Sequence, residues 1–191
     1  VPNRLLVPDT VADRLVGGTG NDRYLIDSAL DVVVEDAAGG TLDAVVSAID
    51  NSLARYANVE ALVLQRGSAA WFGQGTGGAN ILVGNERDNL LVGGAGNDTL
   101  SAFVDVSNPI EPQSDVLDGG DGNDVLVAFG FGNGFGAPRE VTFLGGTGND
   151  FYVVGTPVDS YGGQDTAGTD TAVLLASGSI DNLEGVETVA L

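Results

Sequence analysis

Cysteine and histidine are both absent from this 191-residue chain. Without Cys there is no disulfide framework and no thiolate chemistry. Without His the usual ligands for zinc and iron are missing, together with the usual general base. Methionine is missing too, so we expect a fragment of a longer polypeptide. Basic residues are scarce: 7 Lys and Arg against 27 Asp and Glu give a formal net charge of −20. That balance excludes nucleic-acid binding through phosphates and disfavours adhesion to anionic lipid. No apolar run approaches the roughly 18–20 residues of a membrane-spanning helix, and no basic stretch precedes an apolar one near Val1. A chain this acidic repels itself when compact unless cations neutralise it.

Glycine, by contrast, is abundant at 30 residues, and much of it falls in a recurring phrase. Gly-Gly-x-Gly-Asn-Asp occupies residues 17–22, 93–98, 119–124 and 145–150. One residue later comes a bulky side chain: Tyr24, Leu100, Leu126 and Tyr152 in turn. A glycine-rich nonapeptide of this form is a calcium-binding turn joined to a short strand, and its recurrence predicts a solenoid. The nine-residue frame extends into degenerate neighbours: Asp13 with Leu15, Asp31 with Val33, Asn80 with Leu82, Asn89 with Leu91, Asp115 with Leu117, and Asp159 with Tyr161. The stretches 24–26, 90–92, 125–127 and 151–153 read as very short strands. The apolar positions that recur in register are expected to fill the interior.

Two nonapeptides make one coil of about 18 residues, so successive turns alternate between opposite edges. Asn80 and Asp98 are 18 apart, whereas Asp98 to Asp124 and Asp124 to Asp150 are each 26, or 18 plus 8. An eight-residue loop in each opposite turn accounts for the excess, and residues 106–112 and 130–136 have the composition of such loops. Asn80, Asp98, Asp124 and Asp150 should then line a single edge. Residues 17–64 and 145–191 also run in parallel, ending in Asn58-Val59-Glu60-Ala61-Leu62 and Gly185-Val186-Glu187-Thr188-Val189. Within that duplication Asp43 lies 21 beyond Asp22 and Asp170 lies 20 beyond Asp150, about one coil each. The expected fold is therefore all-β, a parallel β-roll or β-solenoid. We expect one continuous array over residues 1–191, with insertions near 102–114 and 128–140.

Calcium is a hard cation that takes six to eight oxygens at about 2.3–2.6 Å. A glycine-rich turn can aim several carbonyls at one point, and its Asp adds charge. One turn cannot surround the ion; two stacked turns can. These residues resemble the repeats-in-toxin (RTX) family, the hemolysin-type calcium-binding nonapeptides of secreted bacterial proteins, whose pattern is Gly-Gly-x-Gly-x-Asp-x-apolar-x. The resemblance implies a parallel β-roll in which each ion bridges turns of one edge. It implies carboxylate ligands from Asp98, Asp124 and Asp150, and from Asp22 with Asp43; Asp170 continues the edge. It implies carbonyl ligands from the turns containing Gly93 and Ala95; Gly119, Gly120, Asp121 and Gly122; and Gly145, Gly146, Thr147 and Gly148. Asn80 and Asn89 would give weaker, neutral oxygen donors. Arg4, Ser107 and Val141 stand where Asp is expected, so the opposite edge should hold few ions. We expect roughly two to five in all.

Other signals do not hold. Asp165-Thr166-Ala167 and Asp170-Thr171-Ala172 lack the Gly of an aspartic-protease triplet, and the acidic spacing is wrong for an EF-hand loop. No Gly-x-Ser-x-Gly elbow or Walker loop occurs. With every well-placed carboxylate given a structural task, we expect no enzyme here. The expected function is a calcium-dependent folding module of a larger bacterial protein, secreted or at the cell surface. The family resemblance implies export by type I secretion. The rival reading is a polysaccharide- or surface-binding module, like accessory parts of alginate epimerases or adhesins, motivated by Trp71, Phe72 and the Phe129, Phe131 and Phe135 loop. For Trp71 and Phe72 packing in the core is the favoured expectation.

Overall fold

A column of apolar side chains, one from each coil, runs through the interior. In the computed structural model, Tyr24, Val45, Leu62, Leu82, Leu100, Leu126, Tyr152 and Ala172 are register partners in successive parallel strands, and all are buried. The structure describes residues 11–104, 113–130, 139–155, 160–164, 167–175 and 183–190.

That column belongs to a nine-stranded parallel sheet made of Arg23–Ile26, Ala44–Ser47, Ala61–Leu64, Ile81–Val83, Thr99–Val104, Val125–Gly130, Phe151–Val154, Asp170–Leu174 and Val186–Ala190. The strands that alternate with these along the chain build a seven-stranded parallel sheet: Asn51–Ser52, Phe72–Gln74, Leu90–Ala95, Gln113–Asp121, Arg139–Thr147, Ser160–Gln164 and Leu183–Glu184. Arg14–Val16 pairs with Val32–Val34 as a separate two-stranded sheet. Every pairing is parallel, which is what a coil that always climbs in one direction requires. Gly73, Leu91, Leu117 and Phe143 are register partners in the seven-stranded sheet, and they too are buried. Phe143 meets Tyr152 edge to face with ring centroids 5.7 Å apart, the arrangement aromatic quadrupoles favour.

Because side chains alternate along a strand, Tyr24 and Ile26 of Arg23–Ile26 and Tyr152 and Val154 of Phe151–Val154 point inward, while the residues between them lie on the outside. Several strands are longer than expected: the stretches read as 90–92 and 125–127 extend to Leu90–Ala95 and Val125–Gly130. Gln113–Asp121 and Arg139–Thr147 each have nine residues and stay extended through the first glycines of the following turn. The cause is pairing between turns: Gly120 aligns with Gly94 and with Gly146, and Asp121 with Ala95 and with Thr147. Most of both expected insertion loops lies outside the described residues, as do Arg4, Ser107, Phe131, Phe135, Asp159 and the side chain of Tyr161.

Candidate metal centre

The Gly-rich turns at 93–98, 119–124 and 145–150 lie on one edge, where the chain passes from the seven-stranded to the nine-stranded sheet, and the turn at 17–22 enters the same nine-stranded sheet from Arg14–Val16. Gly120 and Gly122 have φ of 103° and 138°, backbone that a residue with a Cβ resists. A Cβ on Gly120 would also collide with the Gly94 carbonyl, and one on Gly122 with the Gly96 carbonyl. Coils therefore stack turn directly on turn. Gly96 N–H donates to the Asp121 carbonyl at 2.7 Å, Gly122 N–H to that of Thr147 at 2.8 Å, and Gly148 N–H to that of Ala167 at 2.8 Å.

The last residue of each turn forms a ladder. Asn80 N–H donates to Asp98 Oδ1, Asp98 N–H to Asp124 Oδ1, Asp124 N–H to Asp150 Oδ1 and Asp150 N–H to Asp170 Oδ1, each at 2.7 Å. Asp22 N–H likewise donates to Asp43 Oδ1 at 2.6 Å. The residues that spacing placed on one edge thus share one column. Two members were not singled out from sequence: Asp43 N–H donates to Glu60 Oε2 at 2.8 Å, and Asp170 N–H to Glu187 Oε2 at 2.7 Å. Their signal was the matched phrase around Glu60 and Glu187. Outside this column runs a second ladder of opposite sense. Asn123 N–H donates to Asn97 Oδ1 at 2.9 Å and Asn149 N–H to Asn123 Oδ1 at 2.7 Å.

Each ladder bond uses only one carboxylate oxygen. Asp98 and Asp124 are 1% exposed, and the Oδ2 atom of each is buried with no hydrogen-bond partner. Both oxygens lie against the first glycine of their own turn. A Cβ on Gly93 would land against Asp98 Oδ2 and 2.6 Å from the Gly119 carbonyl oxygen. One on Gly119 would land against Asp124 Oδ2 and 2.7 Å from the Gly145 carbonyl oxygen. Two acceptors thus converge with no donor between them, which is costly for a buried charged group. Burial lifts the Asp98 carboxyl above the ordinary carboxylate range, against the pull of the Asn80 N–H. Asp124 is pushed up to about 6, chiefly by burial; the Asp98 N–H opposes this, and the charges of Asp98, Asp118 and Asp121 add to it. Burial raises Asp118 as well. An all-oxygen donor set with surplus negative charge suits a hard divalent cation.

At the N-terminal end Asp22, Glu35 and Asp43 each bring one carboxylate oxygen within 4.8 Å of the others. Glu35 also accepts a hydrogen bond from the Tyr24 hydroxyl. It escaped the sequence reading because it stands beside Gly17, in the slot that the repeat gives to its first glycine.

The opposite edge is sparser. Asp13 N–H donates to Asp31 Oδ1 at 3.0 Å and Asn89 N–H to Asp115 Oδ1 at 2.8 Å. The register partner after Asp115 is Val141, which is buried. Asn85 and Asn89 bond each other there, with Asn85 N–H on Asn89 Oδ1 at 2.6 Å and Asn89 Nδ2 on Asn85 Oδ1 at 3.1 Å. Trp71 corrects an expectation. It is 51% exposed rather than in the core, since it lies just before the strand and outside its alternation, and Phe72, whose ring is 5.9 Å away, is only half-buried.

A family model of the RTX calcium-binding nonapeptide repeat matches the chain in four copies, over residues 9–23, 74–102 and 112–130. No curated protein and no solved structure matches it. The matched segments contain the turns ending at Asp22, Asp98 and Asp124; the turn ending at Asp150 stacks on the last of these in the same ladder. Residues 9–23, 74–102 and 112–130 carry RTX calcium-binding nonapeptide repeats.

Proposed function

We propose that this chain is a calcium-dependent folding module of a larger bacterial protein, exported and assembled outside the cell. The observation that carries the reading is the pair of buried, partnerless Oδ2 atoms on Asp98 and Asp124, each beside a carbonyl of the next coil. Asp98 with the Gly119 carbonyl, and Asp124 with the Gly145 carbonyl, would hold the ion, and the turns containing Ala95, Asp121, Gly146, Thr147 and Gly148 would supply further carbonyls. Asp22, Glu35 and Asp43 would hold another. Bound calcium supplies positive charge and oxygen coordination; the chain supplies the stacked turns and the interior column. Where calcium is scarce, a net charge of −20 opposes compaction. Where it is plentiful, ligand binding and folding become one equilibrium. We assign no catalytic step to these residues.

Far-ultraviolet circular dichroism of chelated protein tests this: adding calcium should raise strand content, and unchanged content would reject the reading. A second reading, binding of polysaccharide or a cell surface, is favoured by the exposed Trp71 beside Phe72. A glycan array with no calcium-dependent signal would remove it. Among the described residues no helix is long and apolar enough to cross a membrane.

A further inference from the structure

The carboxylate ladder is broken once, and the break has the form of an ending. Its rungs run Asp22 to Asp43 to Glu60, and again Asn80 to Asp98 to Asp124 to Asp150 to Asp170 to Glu187. Between Glu60 and Asn80 the rung is missing. Glu60 N–H donates instead to the Asp43 carbonyl at 3.1 Å. Asn80 Oδ1 is turned into its own turn, accepting from Thr76 N–H at 2.6 Å and from Thr76 Oγ1 at 3.0 Å.

The first run stops at Glu60, Glu187 holds the matching position in the second, and both glutamates sit at irregular places. The Asp43 carbonyl receives two N–H groups, from Glu60 and Ala61. The register slips at Asp170, which pairs with Val186 while Thr171 pairs with Thr188, leaving Glu187 as the extra residue. An added residue in one strand is a bulge, a feature that interrupts pairing. The turn before Glu60 matches this role. Residues 53–59 contain no glycine and begin as a 3-10 helix, Leu53–Arg55, capped by Ser52. That turn binds backward to earlier coils: Asn58 Nδ2 donates to the Glu35 carbonyl at 3.1 Å and an Arg55 guanidinium nitrogen to that of Ala29 at 2.6 Å. On its forward side a cavity of about 390 Å³ separates it from the next turn, with Tyr56, Val59 and Glu60 on one wall and Thr76 and Asn80 on the other.

We propose that the metal edge is divided at Glu60 into two calcium-loading blocks, one running from Asp22 to Glu60 and one from Asn80 through Asp170, which take up cation independently. The proposal rests on the calcium reading above and adds how the sites are divided. Within a block, each ion-binding turn is hydrogen-bonded to the carboxylate of the next, so loading one site orders its neighbour. Across the Glu60–Asn80 gap, the coils share sheet pairing, apolar core and a long Asn80 Nδ2 bond to the Glu60 carbonyl at 3.5 Å, but neither a carboxylate rung nor facing glycine turns.

The test is hydrogen exchange of the full chain during calcium titration, reading residues 14–64 and 81–174 separately, in wild type and two variants. Asp98→Asn/Asp124→Asn should weaken calcium protection of 81–174 more than tenfold in concentration, while 14–64 keeps its midpoint within about twofold, as for uncoupled sites. Asp22→Asn/Asp43→Asn should do the reverse. Failure of the mutated block to fold leaves the readout of the other block intact. A shift of both segments in either variant would overturn the two-block proposal while leaving calcium binding standing. No calcium response in the wild type would overturn the calcium reading itself, and with it this proposal.

Discussion

Replacing Asp124 by Asn should stabilise the metal-free chain and shrink the stability that calcium adds. Asn keeps Oδ1 for the Asp98 N–H and exchanges the partnerless Oδ2 for an amide beside the Gly145 carbonyl. In chelator this removes a buried charge and supplies a donor where two acceptors met. The gain should be about 1–3 kcal/mol, the cost of a buried unsatisfied polar group. In calcium the same change removes a charged ligand. A site held at about 1,000 times its dissociation constant contributes about 4 kcal/mol, and weakening it 100-fold would leave roughly 1.4 kcal/mol. Urea denaturation followed by circular dichroism should therefore show more residual strand signal in chelator, and the stability added by calcium, read as the difference between the two conditions, should shrink from about 4 to about 1.4 kcal/mol. Equal destabilisation under both conditions would refute the reasoning, because it would mean that Oδ2 already has a partner in the metal-free chain.

Three further outcomes follow from the same geometry. The Asp124 carboxyl, raised to about 6 in the folded chain, binds its proton more tightly there than in the unfolded chain. Its contribution to metal-free stability is thus full below the ordinary carboxylate range and lost as pH rises through about 6. Strand content in chelator should increase from pH 7.5 to 5, while the calcium needed for half-saturation also increases; a pH-independent calcium midpoint would contradict this. Gly120→Ala should cost at least about 1–2 kcal/mol from its backbone conformation alone, plus the collision with Gly94. Gly77→Ala, with open space around it, should stay within about 0.5 kcal/mol; equal urea midpoints would show that the turns do not stack closely. Trp71→Ala should leave the calcium-loaded urea midpoint within about 0.5 kcal/mol, as for an exposed side chain; a large loss would place the indole in the core.

The column was legible because sequence distance between equivalent points of a solenoid measures a whole coil. Asp98, Asp124 and Asp150 align despite their added residues, since an insertion on the opposite edge lengthens the path without changing register. Inward positions such as Leu100 and Leu126 were legible for the same reason. Glu60 and Glu187 were harder. Glutamate reaches the same N–H with a side chain one methylene longer, at a position that the nine-residue frame gives to Asp. Glu35 was hidden by standing in a glycine slot. Trp71 misled because an aromatic residue next to a strand carries no sign of which face it takes.

The central claim is that calcium occupies the space between a turn carboxylate and the carbonyl of the following coil. A crystal structure grown with calcium tests it most directly. We expect an ion between Asp98 Oδ2 and the Gly119 carbonyl, ringed by oxygens at about 2.3–2.6 Å. A hydrogen-bonded water there, or an Asp98 carboxylate turned to solvent with no ion beside it, would contradict the account.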